Sequence, residues 1–315
     1  MKILHIALAS LALAFAGITA VTAADPPAAA KAEAKQRTFA SAEEAATALT
    51  DAVRAKDPKA IVAIVGPGSG SWLFTGDKVA DANDWRRFLS AYEAAHALET
   101  EGDKTVLTVG DDKWPFPAPL VKHGDKWAFD PNAGREELLN RRIGRNELDA
   151  IQTMLAIVDA EREYAQMDPD HSGSADYARR FKSSPGKKDG LYWPEQPGAP
   201  QSPLGPLVAV ATSEGYGKQK PKAGERQPYH GYFYKILTSQ GPDAPGGAYD
   251  YLVGDKLMGG FAVIAWPASY GVSGIMSFLV NHDGVVYEKD LGKQTASIAA
   301  STTRFNPDAT WRKAQ

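Results

Sequence analysis

The first hundred residues show apolar positions spaced three or four apart, which is typical of amphipathic helices. Ser41 and Glu44 have the spacing of a capping box and predict where the first helix begins. Asp57-Pro58 predicts the start of a second, short helix, and residues 81–95 predict a third. The apolar positions that define the three helices are Ala45, Leu49, Ala52, Val53, Ile61, Ile64, Val65, Trp85, Phe88, Leu89 and Tyr92.

After residue 100 the pattern changes to that of strands. Residues 105–109 predict one strand, and residues 120–121 and 127–129 predict a hairpin with its turn at 123–125. Helices followed by antiparallel strands indicate an α+β domain. This order is similar, at the level of fold, to the small cone-shaped folds of the nuclear transport factor 2 class. Aromatic residues between Trp72 and Phe116 then either pack in the core or line the open end of the cone.

A domain boundary is predicted near Gly144. Asn132 suits the start of a short helix, Gly144 suits its C-terminal cap, and Asn146 then caps a longer helix that runs to about Gln166. Asp283-Gly284 predicts a hairpin turn. A long helix before an antiparallel meander is similar to the globular head of a pilin. The predicted strands of the meander cover residues 229–237, 260–266, 275–280 and 285–288.

The N-terminus has the pattern of a cleaved signal peptide. Lys2 precedes an apolar run, and small residues at 21–24 suit cleavage. The alternative is a membrane anchor, but the run is shorter than the ~20 residues of a spanning helix. We therefore expect a signal peptide over 1–24, a flexible leader over 25–37, and two α+β domains over 38–143 and 144–315. The expected location is the periplasm or the exterior of a bacterium, with no membrane span after cleavage.

Composition excludes several classes of protein. The 315 residues carry 35 Lys+Arg against 38 Asp+Glu, a formal net charge of −3, so no basic excess indicates a nucleic-acid partner. Cysteine is absent, which rules out disulfides, thiolate catalysis and zinc ribbons. The expected partner is an envelope ligand or an envelope protein whose identity the sequence does not give.

Seven short motifs together resemble one protein family. They are WPFP at 114–117, RRIGRNE at 141–147, DGLYWP at 189–194, HGYFYKIL at 230–237, AWP at 265–267, YGVSG at 270–274 and DGVVY at 283–287. In combination they resemble DUF2950, a family of exported bacterial proteins, over roughly Phe39 to Trp311. The resemblance implies export and an uncharacterised role. It carries over no catalytic residue.

One turn-rich segment has the spacing of calcium ligands. Asp168, Asp170, Ser172, Ser174 and Asp176 place oxygen atoms at alternate positions, with a glycine where the calcium loop of an EF-hand needs one. The residue at the twelfth position is an arginine instead of the bidentate glutamate of an EF-hand. The two interpretations are a weak calcium site and an ordinary polar turn after a helix.

Catalytic motifs are weakly represented. The glycine-rich segments lack the spacing of a phosphate loop or a nucleophile elbow, and the histidines are scattered. His230, among three tyrosines, is the best candidate for a functional histidine, although a structural hydrogen-bonding role explains it too. The leading hypothesis is therefore a non-enzymatic binding or envelope-assembly module. The alternative is a periplasmic hydrolase that acts on envelope material, with possible dependence on calcium.

Overall fold

The chain folds into helices and antiparallel sheets, as predicted for an α+β protein. The computed structural model describes residues 35–169, 171, 173–218 and 226–314. The predicted signal peptide (1–24) and most of the predicted leader lie outside the described residues. The helices are α1 Ala42–Arg54, α2 Pro58–Val65, α3 Gly70–Leu73, α4 Lys78–Ala94, α5 Arg135–Met167, α6 Gly205–Glu214 and α7 Thr295–Ser301, with a 3-10 turn at Gly292–Gln294. The strands are β1 His96–Glu101, β2 Lys104–Val109, β3 Trp114–Pro115, β4 Leu120–His123, β5 Lys126–Phe129, β6 Tyr232–Leu237, β7 Ser239–Gln240, β8 Tyr249–Asp250, β9 Leu252–Val253, β10 Lys256–Leu257, β11 Ala262–Pro267, β12 Met276–Asn281, β13 Tyr287–Asp290 and β14 Arg312–Lys313.

The first four helices pack on an antiparallel sheet in the order β1-β2-β4-β5, with β3 paired to β2. The capping interactions that the sequence predicts are present. Ser41 Oγ accepts a hydrogen bond from the Glu44 backbone N–H at 3.1 Å, and the Glu44 carboxylate accepts one from Ala40 at 2.8 Å. Asp57 caps α2. The hairpin β4-β5 pairs Lys122 with Trp127, so the predicted turn is confirmed.

The second large sheet has the order β14-β13-β12-β11-β6, all antiparallel. Its central strands β11 and β12 are buried on both faces, and α5 packs against them. The hairpin turn predicted at Asp283-Gly284 lies between β12 and β13, and Gly284 has the left-handed conformation (φ +81°). The structure contains elements that have no counterpart in the sequence prediction, namely strands β1, β3, β7, β8, β9, β10 and β14 and the short helices α3, α6 and α7.

The predicted helix boundary at Gly144 is wrong. Helix α5 runs without interruption through Gly144 for 33 residues, and its N-terminal cap is Gly134 instead of Asn132. Asn146, predicted as a cap, lies inside the helix, and its amide donates to the carbonyl of Ser273 at 2.8 Å. A glycine inside a helix costs only about 1 kcal/mol. Packing of α5 at both of its ends outweighs that cost.

Gly144→Ala is expected to stabilise the protein by about 0.5–1 kcal/mol, because alanine loses less backbone entropy in a helix and a Cβ at this site meets no atom within 4 Å. Urea unfolding of the two proteins measures the difference. If Gly144 instead ended a helix in the left-handed conformation, the substitution would destabilise the protein by a similar amount.

The described residues belong to one compact unit, Ala34–Gln315, that contains two hydrophobic clusters. One cluster lies between α1, α2, α4 and the first sheet, and the other lies between α5 and the second sheet. Leu138 and Leu139 of α5 pack against the first cluster, whereas Met154 and Ile157 belong to the second. The division into domains 38–143 and 144–315, and the likeness to transport-factor and pilin folds, stay predictions. None of the helices in the described ranges combines the length and apolar composition that a membrane span needs.

Candidate functional site

His230 lies at the tip of a tight turn instead of inside the predicted strand. His230 (φ +49°) and Gly231 (φ +76°) are both left-handed, and the Tyr232 N–H donates to the Tyr229 carbonyl at 3.0 Å. Two consecutive left-handed residues are typical of the type I′ turns that join paired strands. A Cβ on Gly231 would lie 2.7 Å from Nδ2 of Asn146, so this position requires glycine.

The imidazole of His230 is held between two carboxylates. Its Nδ1 lies 3.1 Å from Asp149 Oδ2 on α5, and its Nε2 lies 3.1 Å from Glu214 Oε2 at the end of α6. Burial raises the pKa of Tyr229 to about 12, and the charges of Glu214 and Asp149 add to the shift. Because each ring nitrogen of His230 already has a carboxylate oxygen at 3.1 Å, a substrate would have to displace Asp149 or Glu214 to reach the ring.

Asp77 ties this turn to α4. Its Oδ1 accepts the backbone N–H groups of Val79 and Ala80, which caps α4, and its Oδ2 accepts the Tyr216 hydroxyl at 2.8 Å and the Gly231 N–H at 3.1 Å. The side chain is fully buried. Tyr216 follows α6, so one carboxylate holds a helix N-terminus, a helix C-terminus and a turn together.

A cavity of about 330 Å³ opens beside His230 and is here called the arginine cavity. It lies between α4, α5 and the end of α6. The ionisable residues along its wall are Arg86, Arg87, Arg142, Arg145, Asp84, Asp149, Glu214 and His230. Four guanidinium groups face three carboxylates, so the cavity has an excess of positive charge.

Arg142 is the buried member of this group. Only 8% of the residue is exposed, and it donates to the backbone carbonyl of Trp72. Burial lowers its pKa, an effect that the charges of Asp84 and Asp81 oppose. Burial also raises the pKa of Asp81, against its hydrogen bonds from Thr75 and the charge of Arg142. Arg142 is therefore a cation whose solvation by water has been replaced by two acidic neighbours and one carbonyl.

A second cavity, of about 430 Å³, is here called the aromatic cavity. Its apolar walls are Trp85, Phe88, Trp114, Phe116, Pro117 and Leu138. The sequence predicts that the aromatic residues between Trp72 and Phe116 either pack in the core or line an open end of the domain, and the structure contains residues of both kinds. Trp72 and Phe116 are buried in the first cluster, whereas Trp114 is 36% exposed at the cavity wall.

The family model for DUF2950, described as a protein of unknown function, matches residues 36–314. The chain belongs to the DUF2950 family. No curated protein and no solved structure matches the chain significantly. The resemblance drawn from the sequence motifs is thus confirmed, and the role of this DUF2950 protein has to be argued from its own site.

The predicted calcium ligands of this DUF2950 protein are only partly described. Asp170 and Ser172 lie outside the described residues. Asp168 Oδ2 accepts the Gly173 N–H at 2.9 Å, which is the contact of a polar turn. Asp176 Oδ1 lies 3.3 Å from the Lys256 ammonium, which also donates to Ser174 Oγ at 2.8 Å. Among the described residues no three acidic, histidine or cysteine side chains gather as a metal site. Calcium binding stays a prediction, and a calcium ion bound to Asp176 would compete with Lys256.

Sequence reasoning found His230 but missed Asp77 and the four arginines around it. The partners of Asp77 lie far away in the chain: Tyr216 is 139 residues from it, and Gly231 is 154 residues from it. The available signal was the pair of double arginines, Arg86-Arg87 and Arg141-Arg142, on helices that otherwise bury apolar faces.

Glu161 is a buried acid outside these cavities. It is fully buried on α5, one of its oxygens accepts the Ala178 N–H at 2.8 Å, and the other has no hydrogen-bond partner among the described residues. Burial raises its pKa well above 4.5, against the lowering by the Ala178 hydrogen bond. The folded protein therefore favours the protonated, neutral form of Glu161 more strongly than the unfolded chain does.

Glu161→Gln is expected to weaken the dependence of stability on pH. A raised folded-state pKa means that the contribution of Glu161 to stability is complete below pH 4.5 and is lost as the pH rises through the folded-state pKa. Glutamine has no proton to lose, so the variant gains on the wild type from pH 4.5 to pH 8. Urea unfolding at both pH values measures this, and parallel losses in the two proteins would contradict it.

Proposed function

We propose that this DUF2950 protein is a binding module and that the arginine cavity holds an anionic group of its ligand. The observation that carries the proposal is the set of Arg86, Arg87, Arg142 and Arg145 around one cavity of about 330 Å³. Arginine presents a planar fork of N–H donors that matches the oxygens of a carboxylate or a phosphate. A cavity with that lining is suited to an anion of either kind.

The arginines at the cavity mouth have donors to spare. Asp84 Oδ1 lies 3.5 Å from Nη2 of Arg145 and also accepts from Arg87, so one carboxylate oxygen serves two guanidinium groups. Each guanidinium has five N–H donors. The side chains of Arg87 and Arg145 are 66% and 52% exposed. An incoming carboxylate can therefore bind between them without displacing Asp84.

The contacts of His230 favour binding over hydrolysis. A hydrolase that used His230 as a general base would need a ring nitrogen that accepts a proton from water or substrate. Asp149 and Glu214 engage both ring nitrogens at 3.1 Å. These two contacts instead hold the imidazole in place at the wall of the cavity.

Export belongs to the same proposal. Residues 1–24 have a charged start, an apolar run and small residues at the cleavage site, and this pattern supports a periplasmic or secreted location. The ligand would then be an anionic molecule of the bacterial envelope or its surroundings.

The test is a thermal-shift titration with citrate, against sodium chloride of equal ionic strength. We expect citrate to raise the Tm of the wild type by at least about 2 °C at saturation, because a ligand of the native state stabilises it. The double variant Arg87→Gln/Arg145→Gln should lose this shift, and Arg304→Gln, at an exposed arginine outside the cavity, should keep it. Equal shifts with citrate and chloride, or an unchanged shift in the double variant, would refute the proposal.

A further inference from the structure

We infer that the arginine cavity and the aromatic cavity form one site for a peptide that ends in an aromatic residue. The inference rests on the proposed function and adds the class of ligand. Its carboxyl terminus would lie at the arginines, and its last side chain would enter the aromatic cavity. The following observations favour this occupant.

The two cavities share a wall. Asp84, Arg87, Arg142 and Arg145 line both of them. An anionic group bound at these arginines is therefore adjacent to the aromatic rings. A C-terminal residue has the matching layout, since its carboxylate and its side chain are attached to the same carbon atom.

Aromatic rings make up part of the apolar wall, next to aliphatic side chains. Trp85 and Phe88 meet edge to face at a centroid distance of 5.9 Å, and Phe88 lies 5.5 Å from Phe116 at a tilted angle. Aromatic groups gain attraction beyond area burial when they pair in such geometries. An aliphatic chain would fill the same space without that gain.

The charge of the aromatic cavity complements a carboxylate. Arg87, Arg141, Arg142 and Arg145 line it, against the two carboxylates Asp84 and Asp112. Its volume of about 430 Å³ lies in the range of about 300–1,000 Å³ that is usual for ligand sites. Trp114 is 36% exposed, and a bound ligand would cover it and lower its exposure to solvent.

The experiment compares four probes by isothermal titration calorimetry on the full chain. They are acetyl-Ala-Ala-Phe with a free carboxylate, the same peptide as its amide, acetyl-Ala-Ala-Ala with a free carboxylate, and decanoate. We expect the first to bind at least about tenfold more tightly than the other three, because only it has both groups. Trp114→Ala should weaken its binding about fivefold or more, and Tyr249→Ala, at an aromatic residue of similar exposure outside the cavity, should leave it unchanged.

The possible failures are distinguishable. Equal binding of the two free-carboxylate peptides would show that the phenylalanine ring is not recognised, and it would overturn the inference. The proposed function would still stand if citrate raised the Tm as expected. Tighter binding of decanoate would overturn it in favour of an aliphatic acid. No binding of any probe, with no citrate-specific shift, would overturn both.

Discussion

Asp77→Ala is expected to lower the free energy of unfolding by about 3–5 kcal/mol, one of the two largest effects expected here. The substitution removes the cap of α4 and leaves the Tyr216 hydroxyl and the Gly231 N–H without their acceptor in a buried place. Each buried donor that loses its partner costs about 1–3 kcal/mol. Urea unfolding followed by circular dichroism measures the loss.

Asp57→Ala is the matched control. Asp57 caps α2 through the same two kinds of backbone contact, to Lys59 and Ala60, but it is exposed and has no contact across the fold among the described hydrogen bonds. Its loss should cost only about 0.5–2 kcal/mol. Equal losses in the two variants would show that the contacts of Asp77 to Tyr216 and Gly231 contribute nothing.

Gly134→Ala is expected to destabilise the protein by about 3 kcal/mol or more. Gly134 has φ +72°, and a Cβ at this position would lie 1.9 Å from the backbone carbonyl oxygen of Pro117. A backbone atom cannot rotate away as a side chain can, so either α5 or the segment at Pro117 has to move. Since Pro117 lines the aromatic cavity, the same variant should also weaken binding there.

Gly102→Ala separates the two causes of that loss. Gly102 has a similar positive φ of +64°, but a Cβ there meets no atom within 4 Å. It should cost only about 1–2 kcal/mol, the penalty for a left-handed residue with a side chain. If Gly134→Ala lowered the free energy of unfolding no more than Gly102→Ala does, the backbone at Gly134 could not lie as close to Pro117 as the structure shows.

Local patterns predicted the local features of the fold. The capping box at Ser41, the Asp57-Pro58 start and the Asp283-Gly284 turn depend on neighbours within four residues, and all three are confirmed. The error at Gly144 has the opposite origin. The sequence contains a glycine and a good capping residue side by side, but contacts with both hydrophobic clusters keep α5 continuous.

The candidate site depends on contacts between distant parts of the chain. His230 could be singled out because it stands among tyrosines, but its partners Asp149 and Glu214 lie on two different helices. Helix α6, which supplies Glu214, was itself not predicted, since it follows a turn-rich segment. The turn at His230-Gly231 was missed because residues other than glycine are uncommon in the left-handed conformation, although the following glycine was a usable signal.

The most direct test of anion binding is an NMR titration of the arginine Nε–Hε signals with citrate. Signals are assigned by their loss in Arg87→Gln, Arg145→Gln and Arg304→Gln. The account predicts that the signals of Arg87 and Arg145 shift and saturate together while that of Arg304 stays in place. Shifts of equal size at all three arginines, or none at Arg87 and Arg145, would contradict the claim that this cavity binds an anion.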